Sequence, residues 1–555
     1  MTEWQHITST HREKQQNNIP KEWKLAEGTL KELRGHGTPD EGRLIKLQAA
    51  LKAGLLTDKE IAITEKYSAG ELLARIARGE LTSSETTIAF CKRAAIAQQL
   101  TSCLTEIFFE EAIERAKLLD EHLAKHGSVA GPLHGLPISL KDSFIVKGHH
   151  ATVGYTEFLK RPIPDDHSAL VELLLDAGAV LYCKTNVPQT MMTADSENNI
   201  FGRTLNPHKT TLTAGGSTGG EGALLSFRGS PLGVGTDIAG SIRIPSLCCG
   251  VYGFKPTSNR IPFGGQSFCP FPRLRLPGIM PVAGPMASSF EDLKLFMETV
   301  IGQKPWKYDS SAIDIPWRPL EASKNGKLTI GILPEDAEHP LHPPVRRAIE
   351  TAIDELSAAG HTIVRLPVDH SRGIGHGARI AFSFYGLSHP GPDGLEEEFG
   401  EPLVNSLVKG VHPFTTVPPP VPNHPDLAQQ LSELGGVKFE YSDNWRKTWL
   451  EYDLDVVIAP GAQSTAVPWD EYGVPAYTAV WNVLDYPACI IPYGTASKAK
   501  DPHYVKSTNT FDPDYDADAM DGAPCAIQVI TPSFRDEECL YAAQIINDVL
   551  NNGNA

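Results

Sequence analysis

No stretch of this chain reaches the roughly 18 consecutive apolar residues that a membrane-crossing helix needs. The opening "MTEWQHITSTHREKQQNN" is polar and lacks the apolar centre of a secretory leader, and the closing "NGNA" is neither a lipidation nor a peroxisomal address. Positive charge is also in short supply: 50 Lys and Arg stand against 67 Asp and Glu, leaving a net charge of −17. An acidic surface is repelled by the phosphates of nucleic acids and by anionic membranes, so neither is expected as a partner. The nine cysteines (91, 103, 183, 248, 249, 269, 489, 525 and 539) form no C-x-x-C pair and no even framework. They read as reduced core residues of a soluble, cytoplasmic protein. Internal repeats and long charge blocks are missing. The isolated, proline-bound "HPLH" at 339–342 does not make a metal site, and no cofactor is expected.

What the chain does have is ordinary globular composition, 41% hydrophobic and 21% charged over 555 residues, enough for a large core. Residues 1–64 read as a polar N-terminal helical arm, with "DEGRLIKLQAALKAGLL" its most amphipathic part. From 65 to 552 helices alternate with short apolar strands. Thr82-Ser83-Ser84-Glu85 has the spacing of a capping box opening a helix. Gly178 and Gly360 each end a helix ahead of an apolar strand. Leu328–Leu333 and His361–Leu366 flank a helix as a β-α-β unit, and 455–460, 488–493 and 525–530 read as strands covered on both faces. The fold class is α/β, a large mixed β-sheet flanked by helices on both faces. The proline-rich segment 370–430 breaks the pattern and reads as a mobile or substrate-facing insertion.

"GGSTGGEG", residues 215–222, strips side chains from a run of backbone, which points to something approaching closely. A phosphate loop needs Gly-Lys-Ser/Thr at its end, whereas Gly219-Gly220 is followed by Glu221, whose carboxylate repels phosphate. A nucleophile elbow fits Gly215–Gly219 as G-x-S-x-G, but the polar "NPHKTTLTA" before it is no buried strand. His339, His342, His361 and His503 follow without a marked setting. A third reading uses more of the chain. A second glycine-flanked serine lies in "VGTDIAGSIRIPS" (234–246), and Lys141 ends the apolar run in "HGLPISLKDSF" (134–144). Two serines and a desolvated lysine suit acyl transfer without histidine. Taken singly, a lysine after an apolar run is usually a snorkelling surface residue, and a Gly-Ser stretch is usually a turn.

The order and spacing of "GLPISLKD", "GGSTGGEGAL" and "GTDIAGSIRIPS" resemble the amidase signature family from about residue 65 onward. Stretches such as "AFCKRAAIAQQL" and "GQKPWKYDS" resemble the fungal acetamidases in particular. The resemblance implies a Ser–Ser–Lys triad of Ser241 as nucleophile, Ser217 as proton relay behind a cis Gly216–Ser217 peptide, and Lys141 as base. It further implies an oxyanion hole from the backbone amides of Ile238, Ala239, Gly240 and Ser241, with Asp237 and Arg243 orienting the loop. On this reading the lysine–serine relay is what approaches the glycine backbone. Thr218 stands where the family usually has serine, and Ala239 where it has glycine; an alanine forced to positive φ there is strained. Met191 and Met192 are candidates for the acyl pocket, although methionine is more often core filler. The implied substrate is a small monocarboxylic amide, cleaved to carboxylate and ammonia or amine. Alternatives are an amidase for a dedicated metabolite or larger acyl amide, a transamidating subunit, and a non-catalytic binding protein; a homodimer is allowed for.

Overall fold

The computed structural model describes residues 2–268, 278–320, 326–388, 395–410, 418–507 and 512–552. Cys269, Gly553–Ala555 and parts of the 370–430 segment (389–394 and 411–417) lie outside the described residues. The strands in chain order are β1 Leu104–Ile107, β2 Pro137–Lys141, β3 Val180–Thr185, β4 Glu197–Asn198, β5 Gly202–Arg203, β6 Leu232–Asp237 and β7 Tyr252–Lys255. They continue with β8 Val282–Ala287, β9 Thr329–Ile332, β10 Thr362–Arg365, β11 Val456–Pro460, β12 Ala488–Thr495 and β13 Pro524–Ile530. Apart from the small β4–β5 ladder, all join one sheet in the order β1-β3-β2-β6-β8-β7-β12-β13-β11-β9-β10. The β3-β2-β6 and β11-β9-β10 stretches are parallel, and the strands between them are antiparallel. The sheet is mixed, as its sequence implies.

Both faces of this sheet are covered. Along β11, Val456 and Ile458 pack with Ala352, Ile353 and Leu356 of the helix Pro343–Ala358. Their neighbours Val457 and Ala459 pack on the other side with Trp445 and Val480, from the helices Leu427–Glu451 and Ala476–Val483. Alternation along a strand buried on both sides explains why its sequence reads as unbroken apolar residues. The helix Ser83–Thr101 begins at the expected capping box on Thr82 and Glu85. Gly178 (φ +92°) and Gly360 (φ +87°) adopt the left-handed conformation that glycine tolerates. No helix among the described residues is long and apolar enough to cross a membrane. The eight described cysteines are buried and free.

Two expectations change. "DEGRLIKLQAALKAGLL" is mostly turns, with helix only at Ala49–Lys52. Gly42 (φ +75°) bends back to donate to the Arg34 carbonyl, and Ile45 donates to the carbonyl of Pro207. The apolar residues therefore reach the body by looping rather than from a helical stripe. The 370–430 segment is in large part helical, at Ile374–Ser388, Leu395–Phe399 and Asn405–Gly410. Phe382, Tyr385, Ser406 and Val408 within it line the cavity described below.

Candidate active site

Lys141 is the last residue of β2, beside β6, and is completely buried. Its Nζ donates to Ser217 Oγ at 2.6 Å and to Thr236 Oγ1 at 2.8 Å. Burial pulls its pKa down to about 7, against the opposing pull of Asp237 and Asp142. An amine at that value yields a free lone pair near neutrality, and it is hydrogen-bonded to two hydroxyls. The Gly216–Ser217 peptide is cis. Thr218 N donates to the carbonyl of Ser241 at 3.2 Å, tying the two glycine-rich loops together.

Exposure rises outward through the group: Lys141 is 0% exposed, Ser217 2% and Ser241 9%. Ser241, Gly216, Ile238 and Ala239 line a cavity of about 820 Å³, walled further by Met191, Met192, Phe382 and Tyr385. Met191 and Met192, the acyl-pocket candidates from the sequence, thus both line the cavity that Ser241 lines. Among the described residues, no hydrogen bond links Ser217 or Ser241 to a histidine. His339 instead pairs with Asp512 at 3.0 Å.

The loop from β6 to the helix Arg243–Cys249 is organised by Asp237, whose carboxylate accepts from the amides of Gly240 (2.9 Å) and Ile242 (3.1 Å). Arg243 grips the same carboxylate through Nε (3.0 Å) and Nη2 (2.9 Å), and Asn482 adds a third side-chain contact. Burial pushes the Asp237 carboxyl up, but the Arg243 guanidinium outweighs it and holds the pKa far below the usual carboxylate range. The orienting role expected of this pair matches its contacts. The Gly240 amide is already donated to Asp237, which leaves Ile238, Ala239 and Ser241 as the candidate oxyanion donors.

Ala239 is not among the residues with positive φ; Gly240 takes that conformation instead, at φ +124°. The expected strain at Ala239 is therefore absent. The glycine stretch also serves a different purpose from the one inferred. A Cβ on Gly216 would sit 2.2 Å from the carbonyl oxygen of Thr193, and one on Gly220 would sit 2.2 Å from the Asn186 amide nitrogen. What approaches this backbone is the protein's own backbone, while Lys141 reaches only the Ser217 side chain. Glu221 is completely buried: it accepts from Ser139 and Thr185, and burial raises its pKa to about 7.

Sequence reasoning missed Thr236, Tyr385 and Thr478. Tyr385 donates to the Ile238 carbonyl, and Thr478 Oγ1 donates to the Ala239 carbonyl at 2.6 Å. They come from helices 147 and 239 residues away in sequence, and nothing local marks them.

Comparison with known proteins agrees with this fold. An amidase from Gibberella moniliformis is 40% identical over 99% of both chains. An acetamidase from Emericella nidulans is 38% identical over 99% of this chain and 98% of its own. Among solved structures, a fatty acid amide hydrolase superimposes with a TM-score of 0.87 at 31% identity, over 99% of this chain and 95% of the other. The fold and these relatives define an amide hydrolase. The Amidase family profile matches residues 85–540, and the chain belongs to that family, the amidase signature enzymes.

Proposed function

We propose that this amidase hydrolyses a monocarboxylic amide through an acyl-enzyme on Ser241, with Ser217 and Lys141 as the proton relay. The observation that carries the reading is the fully buried Lys141 held 2.6 Å from Ser217. Ser241 Oγ attacks the amide carbon; its proton passes to Ser217 Oγ as Ser217 gives its own to neutral Lys141. The oxyanion gathers on the amides of Ile238, Ala239 and Ser241. Lys141 returns the proton through Ser217 to the leaving nitrogen, the C–N bond breaks, and ammonia or amine departs. Water then attacks the ester by the same relay, releasing the carboxylate and restoring Ser241. No metal or cofactor takes part in this scheme.

Kinship with the fungal acetamidase supports a short-chain amide as substrate. A second reading, a larger acyl amide, is favoured by the cavity, whose volume of about 820 Å³ falls in the range that holds drug-sized ligands. The test is fluorophosphonate labelling with peptide mapping, followed by turnover of amides of graded acyl size. Label on Ser241, and loss of both label and turnover in Ser241→Ala, is the expected result. Label elsewhere, or full activity in Ser241→Ala, overturns the assignment.

A further inference from the structure

Two carboxylates lie close enough to Lys141 to pull a proton onto it, Asp237 and Asp142. Each faces a different basic group: Arg243 for the first and, for the second, Lys184, whose pKa burial lowers against the pull of Asp142 and of Glu106 on β1. Asp237 belongs to Arg243, as described above. Asp142, the residue after Lys141, accepts through Oδ2 from the Val153 amide (2.8 Å) and Thr152 Oγ1 (3.1 Å). Its Oδ1 has no hydrogen bond and faces Lys184 Nζ at 3.8 Å, with both side chains completely buried. Lys184 lies on β3, next to β2 in the sheet, and its Nζ is fixed by the carbonyl of His150.

We propose that Lys184 is a positioning residue for catalysis: it neutralises Asp142, so that Lys141 is left with hydroxyl partners and can act as the base. The inference rests on the Lys141 base assignment above. The other charged or titratable groups around Lys141 are Asp237 at the end of β6, Arg243 on the following helix, and Glu221 on the helix Gly219–Ser226. Of these, Asp237 is paired with Arg243, and Glu221 is hydrogen-bonded to Ser139 and Thr185. The Asp142–Lys184 pair is therefore the second of two matched devices, one on each side of the lysine. Two buried lysines on neighbouring strands do opposite work, one keeping a carboxylate partner so that the other has none.

The experiment is the pH dependence of Ser241 acylation by a fluorophosphonate, which reads the base without needing the natural substrate. Asp142→Asn removes the carboxylate and leaves the Lys184 charge unopposed near Lys141, and the acid limb is expected to move down by about half a unit to one unit. Lys184→Met leaves Asp142 unopposed, and the limb is expected to move up. Asp142→Asn decides, and Lys184→Met decides where the first variant is not recovered folded. A folded variant whose rate falls at every pH with the limb in place overturns the proposal, because a purely structural role does just that. A wild-type profile with no acid limb overturns the Lys141 base assignment and this proposal with it; a limb that is present but unmoved overturns this proposal alone.

Discussion

Tyr385 donates its hydroxyl to the main-chain carbonyl of Ile238, joining the helix Ile374–Ser388 to the loop that presents Ser241. One side chain thus both lines the cavity and holds the peptide plane that carries the Ala239 amide, one of the proposed oxyanion donors. Tyr385→Phe keeps the ring and removes this bond. A single neutral hydrogen bond contributes about 1 kcal/mol, so kcat should fall about five- to tenfold with KM changed less. Steady-state kinetics on one amide substrate checks it. Unchanged kinetics would mean that the ring alone matters.

The pH profile follows from Lys141. With its folded pKa lowered to about 7, kcat/KM should rise through neutrality and level off on the alkaline side. Stability carries the same sign. The unfolded chain keeps a proton that the folded chain sheds between about pH 7 and the ordinary lysine value. The penalty for burying this amine is full below that window and fades as pH rises across it. Lys141→Met should therefore lose activity while raising Tm at pH 6, as read by calorimetry.

Two glycines should respond oppositely to alanine. Gly216 faces the Thr193 carbonyl, which cannot step aside, so Gly216→Ala should lower Tm and abolish turnover. Gly436, within the helix Leu427–Glu451, has open space where a Cβ would go. Gly436→Ala should stabilise by about 0.5–1 kcal/mol and leave kinetics unchanged. Thermal melts of both variants test the contrast.

Ala239 lines the cavity, and because its backbone is unstrained its methyl acts only through volume. Ala239→Gly should retain activity and accept bulkier acyl groups. One methyl contributes about 1–3 kcal/mol to discrimination, so the ratio of bulky to short amide turnover should rise by about tenfold or more. An unchanged ratio would place the acyl group elsewhere in the cavity.

Much of the fold was legible because local chemistry and tertiary burial agree. β9, β11, β12 and β13 fall within a residue or two of their apolar runs, and the Thr82 cap is local geometry. The Lys141 and Ser217 positions followed from motif order, and their 2.6 Å contact agrees with that reading. The 40–56 segment misled because its periodicity is real, yet Gly42 and Gly54 (φ +70°) need turns there. Lys184 was not legible at all. "VLYCK" ends in lysine just as "PISLK" does, and only their places in the sheet separate the proposed charge-neutralising lysine from the proposed base. Tyr385 and Thr478 depend on long-range packing that no local pattern encodes.

The sheet treats its two edges differently. At β10 the outermost residues, Thr362 and Arg365, are exposed, and a charged residue on an edge discourages pairing with another chain. At β1 the chain's own N-terminal segment does the work. Gln15 accepts from the Ile107 amide at 2.8 Å, and Asn18 donates to the Ile107 carbonyl at 2.7 Å, so two side chains satisfy a main-chain position on the outermost strand. The helix Glu3–Asn17, with Asn18 capping it, is in this sense a plug against self-association. Trimming it would uncover a template for strand addition, so a shortened chain should fail first by aggregation.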